Sequence, residues 1–347
     1  MMHAHHAAPL LAQLLAPLER FADAGVEEIC INRPGECFVR RAGGFERHNI
    51  PLAYDELYDI AVLAAAHASQ DVGPDRPLLA AELPDGSRLQ AVIPPCVPDG
   101  TVSLTIRRHS ERIAPLDAVA RRYRTGQWNR WAQRHEARAQ ESSRLLQLYD
   151  AGNIVDFFSE AVRMRCTMLL TGATGSGKTT MLKTLVSIIN PDERLITIEN
   201  APELTITQPN HVRLLYSHGG QGTAKVTQKD LLEAYLRMRP DRGFVGELRD
   251  PEAAYVFVHE VGTGHPGSST TIHGKDAGQA FRRLFNLVKG SEAGKSYDDA
   301  TIISLLAGAI DVIVPFQEHG GEFSIGEVWL RPDAQRRGQT IAELMED

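Results

Sequence analysis

Cysteine is scarce. Cys30, Cys37, Cys96 and Cys166 are the whole complement of 347 residues, and no two of them stand in a C-x-x-C pair. That spacing excludes a disulfide framework and a zinc ribbon, and leaves free thiols suited to a reducing cytosol. Long apolar runs are also missing: the best, Thr301 to Phe316, is broken by Asp311 and falls short of the roughly 18 residues that span a bilayer. There is no excess of basic charge either. Lys and Arg number 37 against 44 Asp and Glu, a net charge of -7, so direct nucleic-acid binding is not indicated. At the N-terminus no lysine or arginine precedes Leu10, Leu11, Leu14, Leu15 and Leu18. Their helical spacing therefore predicts an ordinary packed helix, not a signal peptide or a basic interfacial helix.

What remains is ordinary globular material, 43% hydrophobic and 23% charged, long enough for two domains. The first, residues 1–120, reads as a small α+β domain. Short β-like runs (Glu28–Asn32, Glu36–Arg40, Leu79–Leu83, Arg88–Ile93, Val102–Arg107) alternate with Gly/Pro turns, around a helix rich in alanine and leucine at about Tyr54 to Gln70. Residues 121–146 are rich in arginine and poor in aliphatics, a linker. Over 147–347 strand and helix patterns alternate, as in a parallel-sheet, RecA-like nucleotide domain of α/β class.

The chemistry centres on Gly172-Ala173-Thr174-Gly175-Ser176-Gly177-Lys178-Thr179, a complete G-x-x-x-x-G-K-[ST] loop directly after the apolar run Thr167–Leu170. Glycines let backbone N–H groups curl around phosphate oxygens, and the helix beginning at about Thr180 aims its positive end at the same charge. Lys178 would reach the β- and γ-phosphates and the Thr179 hydroxyl would ligate Mg²⁺, so ATP with Mg²⁺ is the expected ligand.

Three clusters follow in order. Leu195–Glu199 is a strand with an acid at its C-terminal end, and Glu203 lies four residues on. Gly243–Val245 is a second strand leading to Glu247. Gly264 to His273 sets His265 and His273 in a Gly/Ser/Thr-rich segment. After a phosphate loop and in this order, these clusters resemble the secretion ATPase superfamily, most closely the hexameric traffic ATPases of bacterial type IV secretion systems.

That resemblance implies roles. Glu199 and Glu203 fall in an acidic box, with Asn200 where the family usually has Asp. Glu247 is the Walker B glutamate, and His265 and His273 belong to a histidine box that senses the γ-phosphate. Arg107 matches a basic position by which the N-terminal domain closes over the nucleotide, and Arg88 is a second match. Gly246 stands where a Walker B motif usually has Asp, which leaves either Glu247 or Glu199 to orient and deprotonate the water. Arg107, Arg213, Arg237, Arg239 and Arg242 are candidates to cap the γ-phosphate. The implied protein is a cytoplasmic homohexameric ATPase, held peripherally at the inner membrane with other type IV secretion components. Alternatives are a type II secretion or pilus-motor ATPase, disfavoured by the missing C-x-x-C module and Ala-Ile-Arg segment, and a nucleotide-gated scaffold with little turnover.

Overall fold

The computed structural model describes residues 4–23, 25–109, 115–117, 142–217, 222–261 and 264–346. Of the linker expected at 121–146, residues 121–141 lie outside the described residues.

The first half is an antiparallel sheet built from β1 (Glu28–Arg33), β2 (Glu36–Arg41), β3 (Gly44–Asn49), β4 (Leu78–Glu82), β5 (Arg88–Val92) and β6 (Ser103–Arg107). Their order is β3-β2-β1-β6-β5-β4. Helix Tyr54–His67 covers it, burying Leu57, Ile60, Ala61, Ala64 and Ala65 at i, i+3, i+4, i+7 and i+8, a single apolar stripe. The helix stops short of Gln70 because Ser69 turns to a φ of 54°. The N-terminal helix, Ala4–Leu15, packs on that helix through Leu11, which is wholly buried.

The second half is a mixed sheet. Its strands are β7 (Met168–Gly172), β8 (Leu195–Glu199), β9 (His211–Leu215), β10 (Arg242–Val245), β11 (Ser269–Ile272), β12 (Val312–His319), β13 (Glu322–Ile325) and β14 (Trp329–Leu330). The order β13-β12-β7-β11-β10-β8-β9 is parallel from β12 through β9, with β13 and β14 added antiparallel to β12. Strands β7, β8, β10 and β11 are buried at every residue, as strands covered by helices on both faces must be. The molecule is thus an α/β nucleotide domain behind a smaller α+β one. Parallel order has a direct functional result. The C-terminal ends of β7, β8, β10 and β11 all open on one edge of the sheet, where ligands of open α/β sheets bind.

Between the halves runs a polar seam. Arg194, just before β8, is fully buried. Its guanidinium donates to Asn32 Oδ1 on β1 at 2.7 Å, to Asn210 Oδ1, and to Thr105 Oγ1 on β6 at 3.4 Å, while Nε donates to the Met238 carbonyl at 2.9 Å. Asn32 Nδ2 also donates to Asn210 Oδ1 at 3.0 Å. Val92, Cys96 and Val97 of the first half join the hydrophobic core of the second. We expect Arg194→Met to cost about 2–3 kcal/mol of stability, because it removes the guanidinium donor from the buried Asn32 amide oxygen and from the Met238 carbonyl. A urea midpoint unchanged from wild type would show that the seam carries no such load.

All four cysteines are buried free thiols, and burial pushes Cys37 and Cys96 up to about 12 and Cys166 up to about 11, which makes them inert. No helix of the described residues is long and apolar enough to cross a membrane.

Candidate active site

The phosphate loop leaves β7 at Gly172, whose φ is 150°. A Cβ there would stand 2.5 Å from both the Phe316 carbonyl oxygen and Ser176 Oγ, so no other residue fits. Gly177, at φ 97°, turns the chain into helix Lys178–Ser187, and the first turn of that helix brings Lys178 and Thr179 to the loop. Lys178 is buried and folds back, donating from Nζ to the carbonyls of Gly172 at 2.8 Å and Ala173 at 2.6 Å. Burial holds its ammonium below the ordinary range, the carboxylate of Glu247 opposes that shift, and Arg249 adds to it. These two carbonyl oxygens take up hydrogen bonds that the ammonium could otherwise give to a phosphate. Thr174, Gly175 and Thr180 are exposed at the mouth of the loop, as ligand contacts require.

The acids assemble on the same edge. Glu199, at the end of β8, is 2% exposed; its Oε1 accepts from the backbone N–H of Glu203 at 2.9 Å and of Leu204 at 2.8 Å, while Oε2 is buried without a partner. Glu203 contributes that amide, and its own carboxylate is exposed. Asn200 is exposed beside it. Glu247, two residues past β10, pairs with Arg249, and its Oε1 lies 3.0 Å from His273 Nε2 at an angle that leaves it without a formal hydrogen bond. His273 follows β11 directly. Gly246 packs against the neighbouring strand: a Cβ there would sit 3.7 Å from Glu199 Cγ. Glu199 therefore supplies, from β8, a carboxylate next to the place where a Walker B Asp would stand.

Other expectations are corrected. His265 does not join this edge. Strand β11 separates it from His273, and a strand of four residues spans roughly 13 Å. His265 lies near the start of β10, its ring 5.2 Å edge-on from Tyr235 and hydrogen-bonded to the Pro240 backbone; burial holds its pKa below the usual histidine range. Arg242 is no free cap for phosphate. It is buried, with a two-pronged pair to Glu193 at 2.8 Å in each arm and a third bond to the Val162 carbonyl at 2.8 Å. Arg213 sits half-buried on the edge strand β9.

Arg107 is also displaced. Expected where the N-terminal domain closes over the nucleotide, Arg107 stands away from the phosphate loop of the same chain, because the seam at Arg194 docks β1 and β6 against the N-terminal ends of the parallel strands. Arg107 pairs in register with Glu28 and Arg88, and lines a cleft of about 660 Å³ with Glu28, Arg88, Arg237 and Arg239. Within the cleft Arg239 Nε stands 3.2 Å from the buried Glu28 carboxylate. The cleft lies on the sheet edge opposite the phosphate loop.

Two residues of the acid cluster are absent from the sequence reading. Arg249 holds Glu247 by its carboxylate, and the buried Gln228 donates to the Glu247 carbonyl at 2.7 Å and to Tyr216 OH at 3.2 Å. The Glu-x-Arg spacing was a visible signal for the first; a lone Gln opening a helix gives none for the second.

Comparisons with known proteins identify the family. The family described as Type II/IV secretion system protein matches residues 136–316. Protein VirB11 of Agrobacterium fabrum is 54% identical over 338 residues, spanning 97% of this chain and 98% of its own. The type IV secretion system protein VirB11 of Bartonella quintana is 39% identical and spans 93% of both chains. Among solved structures, the VirB11 ATPase of the Brucella suis type IV secretion system, crystallised with sulphate, superposes with a TM-score of 0.85 at 34% identity, covering 97% of this chain and 99% of that one. A family model over more than half of the chain, and relatives 39% and 54% identical over nearly its whole length, show that the chain belongs to the type II/IV secretion ATPase family and is a type IV secretion system ATPase.

Proposed function

We propose that the chain hydrolyses Mg²⁺-ATP in a ring of identical subunits, six by the family resemblance, in which the arginine-lined cleft of one copy completes the phosphate loop of the next. The observation that carries this reading is the opposition of the two features across one sheet. Phosphate loop and acids sit at the strand C-termini, and Arg88, Arg107, Arg237 and Arg239 at the other edge. Only a head-to-tail contact brings such edges together, and a head-to-tail contact that closes is a ring. Residues 1–120 and 147–347 then act as the two working units of each subunit.

The residues present fit a cation and a triphosphate. Buried oxygens without partners, Glu199 Oε2, Glu247 Oε1 and Ser176 Oγ, surround the loop, and such groups are costly unless a ligand satisfies them. Thr179 and these carboxylates would hold Mg²⁺ directly or through water; when bound, the cation supplies charge neutralisation on the phosphates. Lys178 exchanges its two carbonyl partners for β- and γ-phosphate oxygens. Glu247 is the better placed general base: Glu199 spends one oxygen on two backbone amides and is 2% exposed, whereas Glu247 keeps Oε1 free of any hydrogen bond on a side chain that is 20% exposed. His273, beside Glu247, reports on the γ-phosphate. ATP is supplied in the cytoplasm, so we place the ring there, against the inner membrane with the other components of its secretion system.

Subunit mixing tests the shared site. Homomeric Lys178→Ala and Arg107→Ala proteins should each turn over slowly. Mixed rings should recover activity, because an intact loop from one variant meets an intact Arg107 from the other, at about a quarter of sites for random mixing. Light scattering of the wild type with ATP should give the mass of a closed ring. No recovery on mixing, with ring mass unchanged, would place Arg107 outside the site.

A further inference from the structure

Helix Ala277–Gly290 buries Ala277, Ala280, Phe281, Leu284 and Val288. Its opposite face carries Gln279, Arg282, Arg283 and Asn286, at i, i+3, i+4 and i+7, all exposed. That face forms one wall of a cavity of about 540 Å³, and Gly172, Ala173, His273 and Lys275 form the other. The cavity is cationic on both sides, and no carboxylate lines it.

Arginines elsewhere around the nucleotide domain are committed: Arg242 to Glu193, Arg249 to Glu247, Arg239 to Glu28. Arg282 and Arg283 have no acid partner among the described residues. Two adjacent guanidiniums and an ammonium facing the same space without a counter-charge repel one another, and the repulsion is relieved by an anion. The geometry also says which anion. The cavity touches the phosphate loop only at its first two residues; Thr174 to Thr179, which would cradle the triphosphate, and Glu247, which handles the water, do not line it. It adjoins the phosphate site without overlapping it. His273 borders both, 3.0 Å from Glu247 on one side and part of the cavity wall on the other.

We propose that Arg282 and Arg283 form a product subsite, which receives inorganic phosphate after hydrolysis and passes it to solvent. The proposal rests on ATP hydrolysis at the loop. Water oxygen bonds to the γ-phosphorus, the bond from that phosphorus to the β–γ bridging oxygen breaks, ADP keeps the bridging oxygen, and the water proton goes to Glu247. The freed phosphate is a doubly charged tetrahedral anion held by Lys178 on one side. Two guanidiniums across His273 offer it the forked donors that suit phosphate, outside the space that ADP occupies.

The test uses the full-length protein with Arg282→Ala/Arg283→Ala and, as a charge-preserving control, Arg282→Lys/Arg283→Lys. In single turnover, acid-quench measures bond cleavage and a fluorescent phosphate-binding sensor measures release; in steady state, added inorganic phosphate measures product inhibition from bulk. Cleavage in the alanine pair should stay within about twofold of wild type, while release slows and phosphate inhibition weakens by roughly tenfold, the loss of charge-assisted hydrogen bonds. The lysine pair should fall between. Unchanged release and inhibition in the alanine pair would overturn the subsite. So would a collapse of cleavage itself, which would put these arginines on the γ-phosphate. A wild-type protein without any cleavage would instead be a failure of the ATPase reading.

Discussion

Lys178→Ala should lower ATP turnover by roughly a thousandfold, about 4 kcal/mol of barrier. The ammonium already lies against the loop, bonded to the Gly172 and Ala173 carbonyls. Its depressed proton affinity shows that the pocket charges a desolvation cost for that cation, which a triphosphate would offset. Nothing else in the loop carries positive charge. The fold should survive, because alanine is the best helix former and the lost bonds end on carbonyls that water can reach. Phosphate release measured beside a thermal scan decides the matter. Activity above a tenth of wild type, with the melting temperature unchanged, would remove Lys178 from the chemistry. Lys178→Arg should rescue little, because a planar fork does not fit a cradle that leaves the lysine 8% exposed.

Glu247→Gln should cut turnover by about 10²- to 10⁴-fold, the usual worth of a positioned general base, while ATP affinity holds or rises. The amide keeps the shape of the carboxylate and removes a negative charge that otherwise faces the triphosphate. Arg249 loses its ion pair in the variant but keeps an amide oxygen to bond. Titration with a fluorescent nucleotide, run alongside kcat, separates two outcomes. If affinity collapses together with rate, Glu247 shapes the site through Arg249 and the base must be sought in Glu199.

Much of this site was legible in the sequence because its signals are local. The phosphate loop needs eight consecutive residues in a strand-to-helix context, and β8 and β10 announce themselves as short apolar runs that end near an acid. The parallel fold then brings Gly172, Glu199, Glu247 and His273 to one edge without any further instruction. The misplacements have one cause, pairing between residues far apart in the chain. Whether Arg242 is a free cation or a buried strut depends on Glu193, 49 residues upstream. Arg107 faces away from the loop because Asn32 and Thr105 dock on Arg194, 162 and 89 residues away. No periodicity encodes such distances. His265 and His273 look like one motif in the sequence, yet a strand between them sends them to opposite edges.

Strand β8 joins the two worlds end to end. Arg194, which ties the N-terminal sheet to the nucleotide domain, immediately precedes it, and Glu199, which waits beside the phosphate loop, ends it. The strand has five residues, all buried, and parallel neighbours on both sides, so it cannot bow. It behaves as a pushrod of about 16 Å. A displacement of the glutamate on nucleotide turnover would be carried to the arginine along the strand and would bear on the anchored side of the N-terminal sheet. Any movement coupled to hydrolysis would then be relayed along one strand, and softening that strand at Thr197 would weaken the coupling while leaving ATP turnover in place.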